Sequence, residues 1–198
     1  MAQSLGILGG VFDPVHNGHL SIATFAREFF HLEKVIFIPS GAPPHKNSVT
    51  ASASDRLAML ERALHGVSEF CIWDGEVYRE GYSYTIDTLG CLKEQFPDSK
   101  IHFIIGSDNL SEICRWRSYE QIIKQVTLCV AVRPGFSTSE VPSELTSASL
   151  ELFPSPEWGL SSTILRSYLR EGYSCKFLIP DSVLLYINEK GLYGYQSR

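Results

Sequence analysis

The chain has 198 residues, 44% of them hydrophobic and 20% charged, with a formal net charge of −5. That is enough chain for one domain with a full core, and no apolar run approaches the ~18 residues of a membrane span. The acidic balance disfavours a broad nucleic-acid surface but leaves room for one locally positive pocket that takes a small anion. Five cysteines (Cys71, Cys91, Cys114, Cys129 and Cys175) are scattered without a CxxC pair. A disulfide framework or a cysteine zinc site is therefore not expected, and reduced thiols in a cytoplasmic protein are. The first six residues carry no basic residue, against a signal peptide.

Residues 5–8 are a short apolar run closed by Gly9 and Gly10, which reads as a buried strand. Residues 20–30 carry Leu20, Ala23, Ala26 and Phe30 at helical spacing. Residues 35–38 predict a second strand, stopped by Pro39. Residues 55–64 predict a helix with Ser54 as its cap and Gly66 just past its end. A third strand is expected at 70–73, a helix at 85–96 before Pro97, and a fourth strand at 101–105 before Gly106, Ser107 and Asp108. A fifth strand covers 126–132. Stretches 42–53 and 136–149 are rich in Pro, Ser or Thr and read as surface loops. Two helices, 162–170 and 181–189, close the chain. Alternating buried strands and helices predict an α/β fold, a mostly parallel sheet flanked by helices. The expectation is one domain over 1–198, with a helical part from about 161. In such sheets ligands bind beyond the carboxyl ends of the strands, where strand order reverses. The loops after the first and fourth strands are the places to look.

The first of these loops contains Gly9, Gly10, Val11, Phe12, Asp13, Pro14, Val15, His16, Asn17, Gly18 and His19. Two glycines let a phosphate approach the backbone, and the helix start beyond them favours an anion. His16 and His19 are three apart, so one helical turn puts both on one side. Gly18 between them leaves room for a bulky ligand. Two imidazoles facing one anion can donate hydrogen bonds to a phosphate whose charge is growing. Taken alone, the pair also fits a glycine-rich turn with two surface histidines; a zinc site lacks a third ligand nearby. A second constellation is Ser161, Ser162, Thr163 and Arg166 at a helix start, where hydroxyls and free N–H groups meet a forked cation. An ordinary capped helix would look the same. The two constellations lie about 140 residues apart, close to a whole domain length.

The eleven residues from Gly9 to His19 resemble the GGTFDPxHxGH signature of bacterial nicotinate-nucleotide adenylyltransferases, in the nucleotidyltransferase superfamily with its HxGH motif. Val11 stands where that family has Thr or Ser. Residues 160–166, LSSTILR, are similar to the family's ISSTxxR, with Leu160 for Ile. Pro43-Pro44-His45-Lys46, Ser83-Tyr84-Thr85, Trp116 and the ending around Leu178-Ile179-Pro180 and Gly191-Leu192-Tyr193 extend the resemblance along nearly the whole chain. Arg117 replaces the family's usual Tyr.

The resemblance implies a Rossmann-like nucleotidyltransferase fold and transfer of the adenylyl group of ATP to nicotinate mononucleotide. It implies His16, His19 and Arg166 as catalytic residues. ATP would meet Gly9, Gly10, Val11, Phe12, Gly18, Lys46, Gly106, Asp108, Arg133, Ser161, Ser162 and Thr163. Nicotinate mononucleotide would meet Asp13, Tyr84, Thr85, Trp116 and Arg117. Mg²⁺ would arrive on the ATP phosphates with no protein metal site. A homo-oligomer is compatible with all this; nucleic acid and membrane are not expected partners. The alternatives are adenylyl transfer to nicotinamide mononucleotide or to phosphopantetheine, whose enzymes tend to carry Thr at the place of His16, or a nucleotide-binding sensor without catalysis.

Overall fold

The computed structural model of the protein describes residues 3–43, 49–132, 136–137, 140–156 and 159–195. Six strands form one sheet: β1 (Ser4–Gly10), β2 (Lys34–Pro39), β3 (Phe70–Ile72), β4 (Lys100–Gly106), β5 (Thr127–Val132) and β6 (Ser149–Pro154). Every neighbouring pair is parallel, in the order β3-β2-β1-β4-β5-β6. Parallel neighbours need crossover connections, and α-helices supply those that lead up to β5. These are α1 (Asn17–Phe29), α2 (Ala53–Leu64), α3 (Thr85–Gln95), α4 (Leu110–Ile113) and α5 (Tyr119–Ile123). After β6 come α6 (Ser162–Arg170) and α7 (Asp181–Lys190).

The side-chain period of two sorts each strand between two cores. Val35 and Phe37 of β2 bury on the face covered by α1, α2, α6 and α7, whereas Ile36 and Ile38 bury under α3, α4 and α5. With both faces covered, the central strands lose the polar alternation of a half-exposed sheet, hence their continuous apolar runs. Gly6 is required at the centre of β1. A Cβ there would lie 2.8 Å from Leu32 Cδ1 and 3.1 Å from Val35 Cγ2. Among the described residues, no helix is long and apolar enough to cross a membrane.

Three local expectations change. Helix α1 begins at Asn17, ahead of the apolar spacing that starts at Leu20, because extended His16 takes the cap position. Helix α2 is capped by Ser52 and not Ser54: the Ser52 hydroxyl accepts from the Asp55 N–H at 3.0 Å, and Ser54 falls inside the first turn. The stretch read as a loop up to residue 149 ends in a 3-10 turn, Ser143–Leu145, and then enters β6. Among the described residues, strand β6 pairs with β5 alone at the edge of the sheet, and only its Phe153 is fully buried. A weakly apolar edge strand gives little sequence signal.

Strand β1 has β2 on one side and β4 on the other, so the strand order reverses there. Ser4 pairs with Lys100, a register that sets Gly10 level with Gly106. The carboxyl ends of β1 and β4 thus open side by side into one crevice.

Candidate active site

The loop leaving β1 turns sharply. Phe12 adopts a left-handed backbone, with φ of 52°. Its ring folds back onto Gly10, where a Cβ would meet it at 2.9 Å, so only glycine fits. That ring then supports His19, edge to face, at 5.0 Å between centroids. Phe12 is therefore a buried foundation of this loop.

His16 and His19 stack, with ring centroids 3.7 Å apart and planes 26° apart. The spacing of three on a first helical turn produces this, as the sequence suggested. The His16 backbone N–H donates to His19 Nδ1 at 3.3 Å. In neutral His19 the ring proton is then assigned to Nε2. His16 is only 5% exposed, and its Nδ1 is buried without a partner. Burial pushes its imidazole down to about 4, so the ring is neutral at pH 7.

This burial has a consequence for stability. In the unfolded chain the imidazole returns to about 6.5. Between these values the unfolded chain binds a proton that the folded chain refuses. The contribution is complete above about pH 6.5 and lost as pH falls toward 4. A His16→Asn variant should lose less melting temperature between pH 7 and pH 5 than the parent. Equal losses in the two proteins would show that His16 takes its proton without cost.

Asp13 stands between these groups and the rest of the molecule. It is 2% exposed. Its Oδ2 accepts from the Thr50 N–H at 2.7 Å, and its Oδ1 accepts from the Ala51 N–H at 3.1 Å and the Tyr193 hydroxyl at 2.7 Å. The carboxylate thus faces inward, toward the protein's own donors.

The N-terminus of α6 is stitched to the same loop. Ser162 Oγ donates to the Pro14 carbonyl at 3.0 Å, and Arg166 Nη1 donates to the Asp13 carbonyl at 2.8 Å. Arg166 Nη1 also lies 3.7 Å from Asp13 Oδ2, and Nη2 donates to Thr163 Oγ1 at 3.4 Å. Ser161 is the cap, its hydroxyl accepting from the Ile164 N–H at 3.2 Å. The two motifs thus meet in direct contact, and Arg166 is a half-buried brace with part of its fork already engaged.

One buried group went unread in the sequence. Arg56 is 1% exposed, and its guanidinium donates to the carbonyls of Val11 at 2.7 Å, Ser40 at 2.7 Å and Gly41 at 3.0 Å. It ties the loop after β1 to the loop after β2. The available signal was its position: Arg56, Leu60 and Leu64 fall at intervals of four on the buried face of α2.

On the other side of the crevice, Gly106 ends β4 and opens onto free space, with no heavy atom within 4 Å of where a Cβ would be. Asp108 is exposed in the 3-10 turn Ser107–Asn109 that follows. Tyr84 precedes α3 as its cap residue, without a side-chain cap. The Arg117 guanidinium lies 4.7 Å from the centroid of the Tyr84 ring. Trp116 is half-buried, edge-on to Phe103 at 5.9 Å. The structure therefore brings 84–85 and 116–117 together. Behind them, buried Glu76 accepts from the Thr88 hydroxyl at 2.6 Å, and burial raises its carboxyl above the ordinary range. Lys46 and Arg133 lie outside the described residues.

A wholly parallel sheet with a histidine-capped helix at its switch point defines the class, a nucleotidyltransferase-type α/β fold. The cytidylyltransferase-like family model matches residues 7–168. A curated relative from Desulfitobacterium hafniense, named "Probable nicotinate-nucleotide adenylyltransferase", is 44% identical over 198 residues, covering 96% of each chain. A relative of the same name from Neisseria meningitidis is 36% identical over 199 residues, covering 96% of this chain and 98% of its own. The chain belongs to the nicotinate-nucleotide adenylyltransferase family. The fold is shared with nicotinic acid mononucleotide adenylyltransferase of Plasmodium falciparum, solved in complex with NaAD, at a TM-score of 0.81 and 20% identity over 98% of each chain.

Proposed function

We propose that this chain transfers the adenylyl group of ATP to nicotinate mononucleotide, giving nicotinate adenine dinucleotide and diphosphate. The observation that carries the reading is the stacked His16–His19 pair at the N-terminus of α1, set at the switch point of the sheet. A 5′-phosphate oxygen of the acceptor attacks the α-phosphorus of ATP in line. The bond to the β-phosphate oxygen breaks, and its electron pair leaves with diphosphate. No covalent intermediate on the protein is needed, because positioning and charge stabilisation suffice for this chemistry.

His19 presents Nε2–H toward the α-phosphate, oriented by the His16 N–H on its other nitrogen. His16, neutral and with an unfilled Nδ1, offers a second hydrogen-bonding position beside it. Gly9, Gly10, the Val11 and Phe12 backbone and Gly18 leave room for the phosphates, with Ser161, Ser162, Thr163 and Arg166 on the far side. Gly106 and Asp108 would face the adenosine, joined by Lys46 and Arg133. The described residues hold no group of three His, Cys, Asp or Glu side chains able to grip a metal ion. Mg²⁺ would enter with ATP on the phosphate oxygens and neutralise their charge.

Tyr84, Thr85, Trp116 and Arg117 would form the acceptor end. The uncapped start of α3 suits the nicotinate carboxylate, and Trp116 suits the pyridine face. Arg117 adds a cation that a carboxylate feels and a carboxamide does not. Arg117→Ala should raise KM for nicotinate mononucleotide about two- to fivefold at low salt, with the difference shrinking at high salt. A KM unchanged at every ionic strength would remove Arg117 from acceptor recognition.

The deciding assay is diphosphate release from Mg-ATP with nicotinate mononucleotide, nicotinamide mononucleotide or phosphopantetheine in parallel. Release with the nicotinate compound alone supports the proposal whole. Release with another acceptor keeps the transfer chemistry and overturns the roles given to residues 84–85 and 116–117. ATP binding with no release under any acceptor favours a sensor.

A further inference from the structure

Tyr193 belongs to the C-terminal segment, 180 residues from Asp13, yet its hydroxyl donates to Asp13 Oδ1 at 2.7 Å. Left-handed backbone lies at one partner and next to the other. Tyr193 has φ of 60°, and Phe12, immediately before Asp13, has φ of 52°. Left-handed backbone is unfavourable for an aromatic residue and persists only where surrounding contacts over-determine it. Here it occurs on each side of one hydrogen bond. Gly191, with φ of 61°, ends α7 and turns the chain so that Tyr193 enters the interior.

We propose that Tyr193 is a positioning residue for the reaction, holding the His16–His19 loop through Asp13. Asp13 Oδ1 takes two donors, the Tyr193 hydroxyl and the Ala51 N–H, and Oδ2 takes the Thr50 N–H. Arg166 stands 3.7 Å from Oδ2, beyond hydrogen-bond length, while its Nη1 holds the Asp13 carbonyl. Without the hydroxyl, a buried carboxylate lacks one donor and turns toward the Arg166 cation to replace it. That turn draws Arg166 from the Asp13 carbonyl and from Thr163. It also tilts Phe12, whose ring supports His19. The displacement reaches the imidazole pair, so its effect falls on turnover more than on substrate binding.

This inference rests on the proposed adenylyl transfer, and its test separates the two. Tyr193→Phe removes one oxygen and keeps the ring. Tyr186→Phe is the matched control: it removes the hydroxyl that donates to Asp55 Oδ1 at 2.9 Å, on the same C-terminal segment but not to Asp13. In the diphosphate assay, Tyr193→Phe should lower kcat about 10- to 100-fold with KM for ATP and acceptor within about threefold. Tyr186→Phe should leave kcat at the parent value, although both lower the melting temperature. The His16 and His19 ring resonances, read by NMR without substrate, should shift in Tyr193→Phe and stay in place in Tyr186→Phe. A parent-like kcat in Tyr193→Phe, or equal kcat losses in both variants, would overturn the proposal. If the parent releases no diphosphate with any acceptor, the function reading fails alone. The resonances then decide: a shift confined to Tyr193→Phe supports the positioning role, and unmoved signals refute it.

Discussion

Replacing His19 by alanine is expected to lower kcat about 100- to 1000-fold while the chain remains folded. The imidazole sits at the third position of α1, stacked on His16 and braced by Phe12. Its Nδ1 is occupied by the His16 N–H, so the proton it can offer a ligand is on Nε2. A donor already oriented at a growing phosphate charge needs no reorganisation during the step, and removing such a donor costs on this scale. The structural cost is smaller. Losing the contact to the His16 N–H resembles losing a helix cap, about 1 kcal/mol, or a few degrees in melting temperature for a chain of this size. KM for ATP should change less than kcat, because most of the contacts proposed for the nucleotide lie elsewhere along the crevice. The measurement is steady-state diphosphate release beside a thermal melt. A folded His19→Ala protein with parent-like turnover would end the adenylyl-transfer mechanism proposed for the pair.

The largest effect on stability is expected at Arg56. Its guanidinium donates to three backbone carbonyls from two loops and is almost wholly buried. Burial disfavours the charge, and the nearby Asp13 carboxylate opposes that. In Arg56→Met the side-chain volume is largely kept, but three carbonyls lose their donor and Asp13 loses a neighbouring cation. Breaking a buried, hydrogen-bonded charge of this kind costs about 3–5 kcal/mol. At about 2–4 °C per kcal/mol for a chain of this size, the melting temperature should fall by roughly 10 °C. Arg56→Lys should recover little of it, since one ammonium cannot span the carbonyls of Val11, Ser40 and Gly41 in the guanidinium's plane. A melting temperature of Arg56→Met within two or three degrees of the parent (about 1 kcal/mol) would contradict this account. Activity should suffer as well, because the Val11 carbonyl belongs to the loop that carries the histidines.

Much of the fold was legible along the chain. The mostly apolar runs at 5–8, 35–38 and 101–105 read as buried strands, and they form β1, β2 and β4 of the sheet. The helix at 162–170 was readable from the Ser and Thr run at its start, although the cap itself is Ser161, with Leu165 and Leu169 buried on its inner face. Strand β6 was not legible, since an edge strand buries too little to leave a clear apolar pattern. Ser54 was read as the cap of α2, and the folded chain gives that place to Ser52, because the helix begins at Ala53 and takes Ser54 into its first turn.

The site divides along the same line. That His16 and His19 face the same side followed from a spacing of three at a helix start, a local geometry that the sequence determines by itself, and the folded loop adds the stacking of their rings. The pairing of the two motifs, with Ser162 and Arg166 against Pro14 and Asp13, required the fold to bring residues about 150 apart into contact. Asp13 reads as a polar loop residue open to a ligand. The tertiary structure alone made it a buried post, because its partners at Thr50, Ala51, Arg166 and Tyr193 come from three distant parts of the chain. Local periodicity and capping are written in neighbouring residues. The partner of a buried charge is whatever the folded chain sets beside it, and no short stretch of sequence contains that information.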